Sequence, residues 1–236
     1  MLDTLSRDDV AVRLAGAPHE RRGLIRAGAE AGVAEAQAVH AQMLLDDGDT
    51  AAAFAWFVKA AAQHHVMALN MVGRCYDLGW GTAPDKARAA ACYRVAAERG
   101  LDWAMYNYAT LLALGEGVAQ DRAAALAWLE KAAGMGNAKA MNFVGSFAED
   151  GWACARDMAA AAKWYARAAA GGDFRGCFNH ARMLAEAGRA DEALHWLRRA
   201  GETATPEFVA KAIAFCQASA ALGEQGVAAL REGARC

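Results

Sequence analysis

Apolar and small residues recur along this chain at helical spacing, and the pattern itself repeats. From Met67 the sequence reads MALNMVGRCYDLGWGTAPDKARAAACYRVAAERG, with Ala68, Val72 and Tyr76 on one face of a helix. Thirty-six residues later, from Trp103, comes WAMYNYATLLALGEGVAQDRAAALAWLEKAAGMG. Thirty-six further on, from Lys139, comes KAMNFVGSFAEDGWACARDMAAAAKWYARAAAGG. A period of this size signals a stacked array of supersecondary units.

The columns of the repeat predict two helices per unit. Gly79, Gly115 and Gly151 stop the first helix, because glycine takes the left-handed conformation at a helix C-terminus. Asp49, Asp85, Asp121 and Asp157 lie on one 36-residue comb and start the second helix as N-caps. Gly100, Gly136 and Gly172 close the units. Ala41, Gly73, Ala109, Gly145 and Ala181 form a small-residue column in the first helix. Glycine costs about 1 kcal/mol in a helix interior, so its place there predicts a close helix–helix approach. Trp56, Trp128, Trp164 and Trp196 each precede a second bulky residue, and the Trp column is expected to be core; Cys92 stands in it in the second unit.

The expected organisation is five repeats between helical caps: 1–33 a cap, 34–66, 67–102, 103–138, 139–174 and 175–205 the repeats, and 206–236 a second cap. The first cap holds a short helix near Ser6–Leu14 and a lone second-type helix. The last begins at Pro206, a favoured first-turn position. The first and fifth repeats are about four residues short in the central loop, and Arg189 takes the Asp column in the fifth.

The pattern A-x3-[LV]-G-x2-Y-x2-G-x-G, followed by D-x2-[KR]-A-x2-[WY]-Y-x-[KR]-A-A-x2-G, resembles the Sel-like repeat, the Sel-1 (SLR) subfamily of the tetratricopeptide superfamily. It is clearest over Ala68–Gly100, Ala104–Gly136 and Ala140–Gly172 and extends over roughly Gly23 to Gly201. The resemblance implies an all-α, right-handed α/α superhelical solenoid with a concave inner face lined by the first helices. It also implies a non-enzymatic scaffold or adaptor. Departures are Cys92 in an aromatic column, and His64 and Glu30 where glycine or a spacer is expected. Some secreted relatives carry one disulfide per repeat, whereas the cysteines here ignore the period.

Positions two, three, six and nine residues after the small residue that opens each first helix are expected to face the groove. In the second to fifth repeats these include Asn70, Met71, Arg74, Asp77, Tyr106, Asn107, Thr110, Asn142, Phe143, Ser146, Phe178, Asn179 and Arg182. An Asn amide both donates to and accepts from a peptide backbone, aromatics offer rigid anchor area, and Arg holds carboxylates. Two readings stay open for the asparagines: contacts to a partner protein or peptide, or bonds between neighbouring helices. Trp80 and Trp152, at matching loop positions, either fold back over the repeat or stand out as contacts.

Composition sharpens this picture. Ala dominates, β-branched residues are sparse and Pro occurs three times, which favours helix. The formal charge is -2 with both signs interspersed, unlike a nucleic-acid binder. No apolar run reaches the ~18–20 residues of a membrane span, and MLDTLSRDDVAVRL lacks the features of a signal peptide, so a cytoplasmic chain is expected. The six cysteines form no CxxC and read as small apolar residues, with Cys236 exposed.

Candidate chemistry is thin. His64 and His65 are adjacent at a turn and do not face each other as metal ligands do. Cys177 and His180 share a helix face but occupy core columns, and His40 shares the column of His180; a hydrogen-bonded core His is expected. The glycines around Trp80 and Glu116 follow a helix rather than a strand, unlike a phosphate loop. Gly145-Ser146 lacks the G-x-S-x-G elbow. No cofactor or metal is therefore expected. The alternatives to an adaptor are a regulatory subunit of a partner enzyme, and a small-ligand binder or enzyme using the same groove.

Overall fold

The computed structural model describes residues 17–235. The expected helix near Ser6–Leu14 and the terminal Cys236 lie outside the described residues. The described residues form thirteen helices and no strand: α1 (Pro18–Glu30), α2 (Ala34–Asp46), α3 (Thr50–Ala62), α4 (Val66–Leu78), α5 (Lys86–Glu98), α6 (Asp102–Leu114), α7 (Arg122–Gly134), α8 (Ala138–Asp150), α9 (Met158–Ala170), α10 (Phe174–Glu186), α11 (Ala190–Thr203), α12 (Pro206–Ala218) and α13 (Gly223–Gly233). No helix among them is long and apolar enough to cross a membrane. The fold is the all-α repeat fold of the solenoid class.

The chain divides after Gln120 into two compact blocks. In the first, each of α1 to α5 packs on its successor. In the second, each of α7 to α10 does the same, α13 packs on α11, and α12 on α13.

Local sequence accounts for the helix ends. Asp49, Asp85, Asp121 and Asp157 accept from the amides of Ala52, Arg88, Ala124 and Ala160 at 2.9–3.1 Å, capping the second helices. Each such cap is worth about 1 kcal/mol. Arg189 leaves α11 without a side-chain cap. Gly79, Gly115 and Gly151 close the first helices at φ of 75°, 74° and 72°. The loop glycines Gly81 and Gly117 are required by close packing as well as by positive φ. A methyl group on Gly81 would lie 2.1 Å from the Thr50 carbonyl oxygen, and one on Gly117 would lie 2.2 Å from the carbonyl carbon of Lys86.

The core runs along the inner faces of the helix pairs. Its bulky members are Phe57, Tyr93, Leu129, Tyr165 and Leu197, each at most 1% exposed. Burying a side chain of this kind contributes about 1.5–3 kcal/mol. The neighbouring Trp column is not core, contrary to expectation: Trp56, Trp128, Trp164 and Trp196 are half-buried. One residue along a helix turns the side chain by about 100°, so only the second of each bulky pair points inward. Each indole lies under a cation three residues on: Lys59 at 3.8 Å, Lys131 at 5.2 Å, Arg167 at 4.2 Å and Arg199 at 5.7 Å from the ring centroid.

The small column is matched to the bulky one. In sequence, Gly73 and Gly145 go with Tyr93 and Tyr165, whereas Ala41, Ala109 and Ala181 go with Phe57, Leu129 and Leu197. A methyl group on Gly73 would lie 2.7 Å from the Tyr93 ring. The Tyr93 hydroxyl donates to Asp77 at 3.2 Å, and that of Tyr165 to Glu149 at 2.7 Å. Asp77 and Glu149 share a column that is apolar in the other three repeats, as Leu45, Ala113 and Ala185.

At the C-terminal end the repeat pattern gives way. Gly201 of α11 and Gly233 of α13 meet backbone to backbone; a methyl on Gly233 would lie 2.0 Å from the Arg198 carbonyl oxygen. Helix α12 lies to the side, with Phe208 edge-on to Phe174 and Phe178 at 4.8 and 5.6 Å.

Candidate functional site

The face formed by the first helices was singled out in sequence, and its residues divide by block. In the first block α4 carries Asn70, Met71, Arg74 and Asp77, and α6 carries Tyr106, Asn107 and Thr110. Asn70 and Met71 are buried, at 3% and 6% exposure. The Asn107 amide donates to the Asn70 side-chain oxygen at 3.0 Å, tying α6 to α4. The Arg74 guanidinium stacks on Trp80, 4.7 Å from its centroid. Asp77 accepts from Lys86 at 2.5 Å, and Lys86 also pairs with Glu116 at 2.9 Å. The Thr110 hydroxyl donates to the Tyr106 carbonyl.

The second block repeats the arrangement on α8 and α10. Asn142 is buried and accepts from the Asn179 amide at 2.9 Å. Arg182 pairs with Glu149 at 2.6 Å, and that carboxylate also takes the Tyr165 hydroxyl. Burial alone would raise the Glu149 carboxyl, but the bonds from Arg182 and Tyr165 outweigh it and hold it below the ordinary range. Ser146 donates to the Asn142 carbonyl, and Phe143 packs edge-on to Phe147. Phe178 meets Phe208 and Phe215 of α12 at 5.6 and 5.4 Å, so α12 packs over its ring.

Both loop tryptophans fold back. Trp80 is half-buried and packs against the core cluster that holds Val72 and Cys75. Trp152 packs edge-on to Phe147 at 5.6 Å, with Arg122 over its ring at 4.3 Å.

The first block also holds a cleft on this face that no sequence motif marked. Between α2 and α4 a half-open cleft of about 720 Å³ is lined by Val39, Met43, Phe57, Val66, Met67 and Met71, with Ala38, Glu35, Gln42 and His65 completing it. Its origin lies in the repeat columns. Where Asn70 meets Asn107, the preceding pair of helices has Ala38 and Met71. The apolar pair forms no tie, and alanine leaves room. A small residue in a column otherwise held by Asn or aromatics, near three methionines, is the signal that was available in sequence.

The remaining candidates have structural uses. His65 caps α4, its Nδ1 accepting from the Ala68 amide at 3.0 Å, while Nε2 faces Glu35 at 2.9 Å. His64 points to solvent at φ of 65°. His40 and His180 are half-buried against Trp56 and Trp196 at 5.3 and 5.4 Å, and Nδ1 of His180 has no partner, so these are not hydrogen-bonded core histidines. Burial lowers the pKa of both. Cys75, Cys177 and Cys216 are buried, and burial pushes their thiols up to about 11, which suppresses the reactive thiolate. Cys92 is half-buried and Cys154 exposed. A smaller pocket of about 270 Å³ beside Arg22, Arg26 and His40 has its charges engaged in the pairs Arg22–Asp47 and Arg26–Glu30. Among the described residues no three His, Cys, Asp or Glu side chains group as metal ligands do.

The fold has close relatives among solved structures. A Sel1 repeat protein from Oxalobacter formigenes is 25% identical, with a TM-score of 0.71 over 87% of this chain and 85% of that one. A protective antigen of uropathogenic Escherichia coli strains, displaying an SLR fold, is 23% identical with a TM-score of 0.70. That match covers 97% of this chain but 52% of the other, so this chain spans about half its length. An immunity protein from Pseudomonas aeruginosa shares the fold at 16% identity and a TM-score of 0.56, over 84% of this chain and 75% of that one. No curated protein matches the sequence. A family model of the Sel1 repeat matches residues 34–65, 66–101, 104–137, 138–173 and 190–202, more than half of the sequence, and the chain belongs to the Sel1 repeat family.

Proposed function

We propose that the protein is an adaptor without chemistry of its own, holding a partner protein on the face of its first helices. Sel1 repeat proteins generally work through protein–protein contacts. The observation that carries the reading for this chain is the methionine-lined cleft between α2 and α4. Methionine is flexible and polarizable and adapts to varied apolar partners. The polar candidates of the first helices are engaged within the protein. Asn70, Asn107, Asn142 and Asn179 bond to one another, and Arg182 is held by Glu149, so they shape the face rather than supply its contacts.

A pull-down from the native cell extract tests this. The bait is the wild-type chain beside a Val39→Gln, Met67→Gln variant with unchanged helical content. A protein retained by the wild type and lost by the variant supports the reading. A partner held equally by both places the contact elsewhere, and retention of no protein counts against the adaptor role.

A further inference from the structure

We infer that the cleft between α2 and α4 receives a partner segment presenting a bulky apolar side chain next to a lysine or arginine. This rests on the adaptor reading and names the chemistry of its partner. The volume, about 720 Å³, exceeds one side chain, so an anchor enters with part of its backbone. The walls are apolar, and Met67 is 43% exposed at the mouth, an apolar surface open to water. Burying such an anchor is the dominant favourable term in association.

Charge settles the flanking residue. Among the described residues no Lys or Arg lines the cleft, and the one acidic side chain lining it is Glu35, which is 76% exposed. His65 Nε2 faces one oxygen of this carboxylate at 2.9 Å, while its Nδ1 accepts from the Ala68 amide. The mouth thus sets a carboxylate beside an apolar wall, while Arg74, 3.8 Å from the Met71 sulfur, has its guanidinium stacked on Trp80. A partner with an acidic flank meets repulsion there, and one with a basic flank meets a carboxylate.

The test is selection of a random displayed peptide library on the full chain, followed by affinity measurement of a synthetic copy of the enriched peptide. The expected consensus places Phe, Leu, Trp or Met beside Lys or Arg. Met67→Gln weakens that peptide, and Glu35→Lys weakens it about threefold, the scale of an exposed ion pair. Replacing the peptide's base by Glu weakens binding to the wild type and restores it to Glu35→Lys. The inference is overturned by an enriched set without the basic residue, by affinity indifferent to Glu35→Lys or Met67→Gln, or by an empty selection. The adaptor reading is tested separately. A cellular partner lost on Val39→Gln, Met67→Gln but indifferent to Glu35→Lys keeps the adaptor and removes the basic flank.

Discussion

Gly145 of α8 lies against the ring of Tyr165 of α9 so closely that a methyl group on the glycine would sit 2.6 Å from the ring. The ring cannot retreat easily: it is 1% exposed, and its hydroxyl is bound to Glu149 at 2.7 Å. Alanine in mid-helix is favoured by about 1 kcal/mol over glycine, while forcing a methyl into a packed core costs about 1–3 kcal/mol. Gly145→Ala is therefore expected to lose about 1 kcal/mol. Tyr165→Leu alone leaves a void and a carboxylate short of one donor, and is expected to lose about 2–3 kcal/mol. Together the two changes copy the Ala181 and Leu197 combination of the fifth repeat. The double variant should lose less than the sum of the singles, read from urea midpoints. Strict additivity would show that the glycine and the tyrosine are independent.

The Asn70–Asn107 bond carries a similar prediction. Asn107→Ala leaves the buried Asn70 oxygen without its donor, which costs about 1–3 kcal/mol. Replacing both partners by apolar residues removes the unmet demand. The double change Asn70→Ala, Asn107→Met reproduces Ala38 and Met71 and should cost less than Asn107→Ala alone. A double variant less stable than the single would show that the bond is worth more than the desolvation it offsets.

These pairs show what the sequence could and could not reveal. The period, the Asp caps and the glycine stops were legible because each acts within a few residues of itself. That Gly73 and Gly145 mark close packing was legible too, since an unexplained helix glycine needs a reason. The partner of each asparagine was not. A column of Asn beside aromatics fits a groove lining and an inter-helix bond equally well, and only the spacing of successive first helices decides. The Trp column was misplaced because adjacent residues in a helix differ by a third of a turn, and periodicity does not say which of two bulky neighbours points inward. The cleft escaped notice because it arises from missing bulk at Ala38, not from a motif.

Asp173 offers a pH-dependent test. It caps α10 through Oδ2, accepting from the Gly176 amide at 2.8 Å, while Oδ1 is buried without a partner. Burial raises its pKa above the ordinary carboxylate value. A raised folded-state pKa means that the unfolded chain ionises first. The acid's contribution is therefore favourable below the unfolded value near 3.9 and is lost as pH rises through the folded one. Asn137 holds the equivalent cap of α8 with a neutral amide, accepting from the Ala140 amide at 3.0 Å. Asp173→Asn should stabilise the protein by about 1 kcal/mol at pH 7, the scale of an unmet buried group. The gain should shrink toward pH 4. A gain independent of pH would assign the effect to something other than the buried charge.

His64 stands in the column of Gly100, Gly136 and Gly172, and it adopts their backbone conformation, with φ of 65° against 91°, 98° and 84°. For a residue with a Cβ the left-handed region costs about 1–2 kcal/mol, which glycine avoids. Glycine gives part of that back through the greater freedom of the unfolded chain. The His64 side chain is exposed, and the interactions shown at the residue use its backbone: the N–H donates to the Ala61 carbonyl at 2.9 Å, the carbonyl accepts from Arg99 at 3.5 Å, and both survive substitution. His64→Gly is accordingly expected to raise stability by about 0.5–1 kcal/mol, with the helices on either side unchanged. His64→Ala keeps the Cβ and should give no such gain. Thermal or urea unfolding of the two variants separates backbone strain from loss of the imidazole. Equal effects from both would locate the cost in the ring, whereas a gain confined to glycine would locate it in the turn.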